Sequence, residues 1–431
     1  MYCAAILINP AGNEAPVGTY QPRMRCVRDE RLHSFANCDT IQCQSSSVGH
    51  LISVVVPQKS RGGQVVVRRQ ILAGGGALAV AGVGATYFGL RHMGSIEDYN
   101  ASVAATRTSL SPTPEMRDFI RYATLAANSH NTQPWRFRSS AGEIEILPDV
   151  SRRIPIVDPD EHHIFASLGC AAENLALAAA ARGQAGELRF KPANGGSLVF
   201  TFGSGNSASS EKTLFDAIPF RQSTRSDYDG KSVSTADLQT LASAAKVPGV
   251  DLVLITDRAP IDRVRDLVIA ANSVQMGDAA FLRELKTWLR YNPRQAIDAG
   301  DGLFSALTGN PTTPAWLGPH LIDMFYSAKT ENEKYARQID SSAGVAIFVS
   351  QQNNPEHWVL AGRASQRFAL QATALGLKHA FINQPVEVAR FRPDLAALVG
   401  MPGRRPDLVM RFGYGAALPF SVRRPVEAVL A

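Results

Sequence analysis

The chain has 431 residues, 45% of them hydrophobic and 19% charged, enough for one large or two ordinary domains and unlike a disordered chain. Its formal charge of +6 tolerates anionic ligands, but the aromatic residues are not interleaved with Lys/Arg clusters, so no nucleic-acid partner is expected. Four of the five cysteines (Cys3, Cys26, Cys38, Cys43) lie near the start, so the body holds no disulfide framework.

Residues 1–64 carry no sustained helical or strand period and read as a non-native or disordered extension. Residues 65–94 follow, with Arg68-Arg69 ahead of a charge-free, Gly/Ala-rich stretch from Ile71 to Leu90 that Arg91 closes. This segment resembles a twin-arginine export signal. It implies the twin-arginine machinery as a partner and a periplasmic location, or anchoring to the outer face of the inner membrane. No clear cleavage site follows Leu90, which leaves an uncleaved anchor open. Because such signals open a chain, the native start is expected at a valine codon near Val65–Val67; no Met lies between Met24 and Met93.

From about Ser95, helical and strand patterns alternate. Pro112 to Ala127 reads as a helix and Glu143 to Leu147 as a strand ending at Pro148. His163 to Arg182 reads as a helix closed by Gly183, with Cys170 as a small buried residue rather than a reactive thiol. A strand over Ser197–Phe202 and a linker from Gly203 end a first half, 95–205. The second half, 212–431, repeats the plan. A shift of 193 residues lays Gly169 on Gly362, Glu173 on Gln366, Leu177 on Leu370 and Gly183 on Gly376. Within it, about 281–320, Gly300-Asp301-Gly302 and a Pro/Thr-rich run look like a lid.

The most specific stretch is Ala126-Ala-Asn-Ser-His-Asn-Thr-Gln-Pro-Trp-Arg-Phe137, a helix-to-strand loop. Its amides and hydroxyl (Asn128, Ser129, Asn131, Gln133) suit a planar ring with polar edges, with Trp135 as a core anchor. His130 reads as structural. The loop resembles the Asn-x-Gln-Pro-Trp signature of the nitroreductase family, which binds FMN. Arg221-Gln-Ser-Thr-Arg225 is similar to the family's Arg-x-Ser-x-Arg motif, in which Arg221, Ser223 and Arg225 would grip a phosphate. Asn383-Gln384-Pro385 stands in a stretch that resembles the end of a nitroreductase domain. Arg423 and Arg424 stand where the family supplies a further phosphate-facing arginine, or else form a basic tail.

The resemblance implies an α+β fold, a nitroreductase-like mixed sheet wrapped by helices, made as a fused pseudo-dimer of two related halves. The first half has the loop without the arginine motif, since only Tyr99 to Arg107 precede Pro112; the second has the arginines without the loop. One FMN per monomeric chain is therefore expected, with no metal and no assignable catalytic residue. The fused Acg-type branch is the nearest match. The expected function is reduction of a small-molecule acceptor through bound FMN, with donor and acceptor unknown; the rival is a non-catalytic flavin store. No Gly-x-Gly-x-x-Gly dinucleotide motif opens a helix in the body.

Overall fold

The computed structural model describes residues 92–205 and 209–431, together with the strands β1 (Cys38–Cys43) and β2 (Ile52–Pro57). The chain divides into two units, Met1–Ala81 and Gly82–Ala431. In the first, β1 and β2 pair antiparallel. Residues 65–91 of the segment read as an export signal, and most of the extension, lie outside the described residues.

The second unit has two halves with one strand plan. In the first half β3 (Trp135–Ser140), β4 (Glu143–Pro148), β5 (Ala185–Lys191) and β6 (Ser197–Gly205) form a sheet ordered β3-β4-β6-β5. In the second, β7 (Val250–Ile255), β10 (Gly344–Ser350), β11 (Lys378–Phe381) and β12 (Pro406–Gly413) form a sheet ordered β7-β10-β12-β11. These orders correspond strand for strand. Every strand pairing within both sheets is antiparallel, and isolated parallel bridges, Phe137–Leu430 on β3 and Ser223–His379 on β11, add to their outer edges. The fold is α+β, with two related halves fused in one chain.

Around these sheets lie α1 (Ile96–Thr106), α2 (Met116–Thr124), α3 (His162–Ala180), α4 (Ser209–Ala217) and α5 (Thr235–Ala244). The expected helix from Pro112 starts instead at Met116. Glu115 takes the N-cap, and Asp118 Oδ2 accepts from its backbone N–H at 3.0 Å, closing a capping box. Between β7 and β10, where the first half has a tight hairpin, the chain inserts α6 (Arg258–Gly277), α7 (Ala279–Trp288), β8 (Leu289–Arg290), α8 (Pro293–Ala299), β9 (Leu303–Phe304), α9 (Gly318–Phe325) and α10 (Ala328–Asp340). The insertion is wider than residues 281–320. Helices α11 (Pro355–Ala374), α12 (Gln384–Glu387) and α13 (Arg392–Leu398) complete the second half.

The halves are joined through α3 and α11. Helix α3 is apolar and long enough to cross a membrane, but 94% of the qualifying window is buried inside the protein, as for a core helix. A Cβ built on Gly169 would overlap the Val359 carbonyl oxygen, and one on Gly362 would overlap the Ala166 carbonyl oxygen. These two contacts exchange under the 193-residue shift, as in an isologous interface. The polar pairs beside them exchange as well. Glu173 accepts from Arg367 Nη1 at 2.6 Å, and Gln366 Nε2 donates to Asn174 Oδ1 at 2.8 Å. Burial raises the Glu173 carboxyl, but Arg363 and Arg367 together hold it below its ordinary value.

The C-terminal residues cross back to the first half: Leu430 bridges Phe137 on β3, and Ala431 N–H donates to the Phe137 carbonyl at 2.9 Å. The close helix crossing predicts that Gly169→Ala and Gly362→Ala each lose roughly 1–3 kcal/mol in denaturant unfolding. Gly277→Ala, whose Cβ would meet nothing within 4 Å, should stay near wild type. Equal behaviour of all three variants would contradict the tight crossing.

Candidate active site

Two adjoining concavities lie between the halves. The larger, about 1410 Å³ including its open mouth, is bordered by the Ala127–His130 loop, the start of α3, α6, the insertion and the 380–387 segment. The smaller, about 390 Å³, is bordered by Arg107, Asn131, Arg221, Ser223, Arg225, Ser421 and Arg423. Ala127, Asn128, Arg225 and Leu303 border both, so the two form one continuous site.

The loop is strained where it meets the site. His130, Asn131 and Gln133 all have left-handed φ, at 49°, 53° and 52°, which suits Asn but costs energy at His and Gln. Surrounding bonds over-determine it. Asn128 Oδ1 accepts from the Gln133 N–H at 2.9 Å, and Gln133 Nε2 donates to the Gly300 carbonyl at 2.8 Å. Gln133 Oε1 accepts from the Arg424 N–H at 2.8 Å, while Asn131 Nδ2 donates to the Gly302 carbonyl at 3.2 Å. Asp301 between those glycines pairs with Arg152 and with Arg290, whose Nε lies 3.1 Å away. The Gly-Asp-Gly turn that looked like part of a lid therefore clamps the loop.

The arginines define the electrostatics. Arg221 and Arg423 are buried, and Arg107 and Arg225 half-buried. Their hydrogen bonds go to neutral carbonyls. Arg423 Nε donates to Thr124 O at 2.6 Å, at the end of α2, Arg221 donates to Leu125 O, and Arg107 Nη1 donates to Pro219 O at 2.7 Å. Arg423 Nη1 also donates to Asn131 Oδ1 at 2.8 Å. None of the four has a carboxylate partner among the described residues, and the Arg225 side chain has no hydrogen-bond partner among them. Buried Nε atoms of Arg107 and Arg221 are left without an acceptor. Burial, then the charge of Arg221, brings Arg107 down to about 9; burial, with the neighbouring Arg225, brings Arg221 down to about 10. Arg107 and Arg221 therefore remain cations near neutrality. Buried like charges without counter-ions are costly, and an anion with several acceptor oxygens offsets that cost.

Of the residues singled out from sequence, Arg221, Ser223, Arg225, Asn131 and Arg423 border the small pocket; Ser129, Asn383, Gln384 and again Arg225 border the large one. Gln133, Pro385 and Arg424 border neither. Gln133 and Arg424 N–H hold the loop to the tail, Arg424 Nη1 lies 3.7 Å from Asp149, and Pro385 is buried in the first turn of α12. His130 borders the cavity, and burial with nearby Arg225 lowers its pKa to about 4, leaving it neutral. Burial pushes the Cys170 thiol up to about 12, so this wall residue is no nucleophile near neutrality. Sequence reasoning missed Arg107, a lone arginine capping α1, and the His163 and Glu387 wall, whereas Asn128, read from the loop, borders both pockets.

No family model matches the chain. Two curated proteins of Mycobacterium tuberculosis, strains CDC 1551 and H37Rv, each named "Putative NAD(P)H nitroreductase", are 26% identical to it over 338 residues, covering 76% of this chain and 94% of theirs. That similarity supports the nitroreductase superfamily. A nitroreductase with bound FMN from Bacteroides fragilis aligns at 16% identity over 47% of this chain and 88% of its own, with a TM-score of 0.30. One from Desulfitobacterium hafniense, also with bound FMN, aligns at 14% over 49% and 94%, with a TM-score of 0.33.

An uncompensated cluster makes a prediction that does not depend on the ligand. Flavin-free Arg225→Met should melt at or above the wild-type temperature, because it removes one of four mutually repelling charges and no hydrogen bond. A clear fall in melting temperature would mean that Arg225 is already compensated.

Proposed function

We propose that this chain is an FMN-dependent oxidoreductase of the nitroreductase type, a fused pseudo-dimer that works as a monomer with one flavin. The observation that carries this reading is the convergence of Arg107, Arg221, Arg225 and Arg423, without a carboxylate, on a pocket that opens into a larger cavity beside the Asn128–His130 loop. The orphaned Nε donors of Arg107 and Arg221 fit a phosphate, whose oxygens only accept. Asn128 and Ser129 would hydrogen-bond the polar edges of the ring, and Ala166, Leu303, Phe381 and Leu408 would exclude water from it. When bound, FMN supplies two-electron chemistry; the protein supplies position and electrostatics. The relatives' name supports a nicotinamide donor, which an exported protein would meet only before leaving the cytoplasm.

A second reading, flavin storage in the manner of the Acg-type branch, is favoured by one observation. Phe281, Leu285, Leu289 and Ile322 of the insertion border the large cavity and would retard flavin release. Stopped-flow mixing of the yellow protein with NADH, NADPH and reduced quinol analogues separates the readings, since rapid bleaching supports turnover and none supports storage.

Heat-released cofactor should be FMN, at one per chain, by mass spectrometry and absorbance. Arg221→Ala should lose one charge-assisted contact, roughly 1.5–3 kcal/mol or about ten- to a hundredfold in retention. FAD as the main species, two flavins per chain, or unchanged retention in the variant would each contradict the assignment.

Export belongs to the same proposal and is supported by Arg68-Arg69 ahead of the charge-free stretch. Twin-arginine export carries folded cargo, which suits a protein loaded with FMN in the cytoplasm. Replacing both arginines by lysine should leave flavin-bound protein in the cytoplasmic fraction. Unchanged export would make the segment an ordinary hydrophobic anchor.

A further inference from the structure

Anion binding leaves one group of ionisable residues in the large cavity unused. His162 and His163 open α3, and both rings are buried. His162 Nε2 lies 3.0 Å from Asp407 Oδ1 on β12, and the Nδ1 atoms of the two rings lie 3.2 Å apart. His163 Nε2 lies 3.7 Å from Glu387 Oε1, one small side-chain rotation from a hydrogen bond. Gln275 Nε2 donates to the other oxygen, Glu387 Oε2, at 2.7 Å. His163, Gln275 and Glu387 border the cavity; His162 and Asp407 do not.

With both rings neutral, the donors and acceptors in this row allow one self-consistent pattern. Asp407 only accepts: Oδ2 takes the Ser350 N–H, and Oδ1 takes a proton from His162 Nε2. His162 is then left with a lone pair on Nδ1, so His163 must donate Nδ1–H across the 3.2 Å gap. That fixes the His163 lone pair on Nε2, on the side of Glu387. Asp158, His162 and His163 have ligand atoms within 4.8 Å of one another, a spacing that a metal could use. Both Asp158 oxygens, however, accept N–H groups at the start of α3, from His163 at 2.9 Å and Ile164 at 3.1 Å. A helix N-terminus disfavours a cation there.

We propose that Glu387 is the proton donor of the cavity and the His163 Nε2 lone pair its hydrogen-bond partner, with Asp407 and His162 as positioning residues that fix which His163 nitrogen faces it. The proposal rests on the reading of the cavity as a flavin reductase site. In that reaction bound FMN would supply the hydride, and Glu387 supplies the proton that the acceptor takes. One O–H bond at Glu387 breaks as a new bond to hydrogen forms on the acceptor, and the carboxylate regains its proton from solvent through the open mouth. Burial supports this use of Glu387 by raising its pKa to about 7, and burial, then His162, holds His163 well below its ordinary value and neutral. The other groups facing the couple are Asp158, His130, Asp160, Arg405 and, from α10, Tyr335; Arg392 of α13 faces Asp158 and Asp160.

The test uses the flavin-loaded full chain with Asp407→Asn and Glu387→Gln. Nitrogen NMR of labelled histidine should find wild-type His163 protonated at Nδ1. In Asp407→Asn the amide oxygen keeps the Ser350 N–H and its NH₂ faces His162, so both imidazole tautomers should invert; unchanged tautomers overturn the positioning claim. Infrared spectroscopy should find a buried carboxylic acid titrating near pH 7 in wild type and missing from Glu387→Gln. Persistence of that band in the variant overturns the assignment. Single-turnover oxidation of photoreduced protein by a quinone should slow as pH rises through the Glu387 midpoint. The Gln variant should be about a hundredfold slower, without that pH step; a flat wild-type profile overturns the catalytic role. A stoichiometric bound metal ion would overturn the hydrogen-bond pattern. Protein purified without flavin would sink the flavin reading, while the NMR and infrared arms would still decide the couple.

Discussion

Backbone meets backbone where α3 crosses α11, and the site depends on that approach. Gly169 and Gly362 leave no room for a Cβ, because each faces a carbonyl of the opposite helix. With the helices this close, the flanking side chains must pair across the crossing or remain buried without partners. Glu173 with Arg363 and Arg367, and Asn174 with Gln366, satisfy that demand. The fully buried Glu173 carboxylate would be prohibitive alone; two guanidiniums make it tolerable and fix the register of the halves. Gln366 Oε1 also accepts from the Ala127 N–H at 3.2 Å, so the same crossing reaches the loop that borders the site.

Fusion then permits asymmetry. Identical subunits would have to repeat every motif, whereas a duplicated chain can specialise each copy. Here the first half supplies the strained loop and Arg107, and the second supplies Arg221, Ser223, Arg225 and, from its tail, Arg423. The insertion between β7 and β10 has no counterpart in the β3–β4 hairpin. It both walls the cavity and, through Gly300 to Gly302, holds the loop in its left-handed conformation.

What the sequence made legible were compact motifs with local chemistry. The Asn-Ser-His-Asn-Thr-Gln-Pro-Trp loop, the Arg221–Arg225 segment and the glycine-framed helices could all be read because their residues are neighbours in the chain. Gln133 was placed correctly in its loop but not in its role, since its amide faces Gly300 and the Arg424 N–H, partners far away in sequence. Arg107 carried no motif; its meaning comes only from three other arginines brought beside it. The mixed sheet was an expectation of family resemblance, and strand order in each half came only from the register of paired residues.

The Glu387 row was invisible for a deeper reason. Its members come from α3, β12 and α12, and nothing in the spacing of 162, 163, 387 and 407 marks them as partners. Two adjacent histidines on a helix point roughly 100° apart, so at most one is expected to face any given neighbour. Here one ring turns inward to Asp407, the other borders the cavity, and one hydrogen bond between their Nδ1 atoms couples the two. The coupling matters because a neutral imidazole has one donor and one acceptor: fixing either nitrogen of either ring fixes all four. A carboxylate that never touches the cavity thereby decides what the cavity wall can accept, which a lone histidine beside Glu387 could not guarantee.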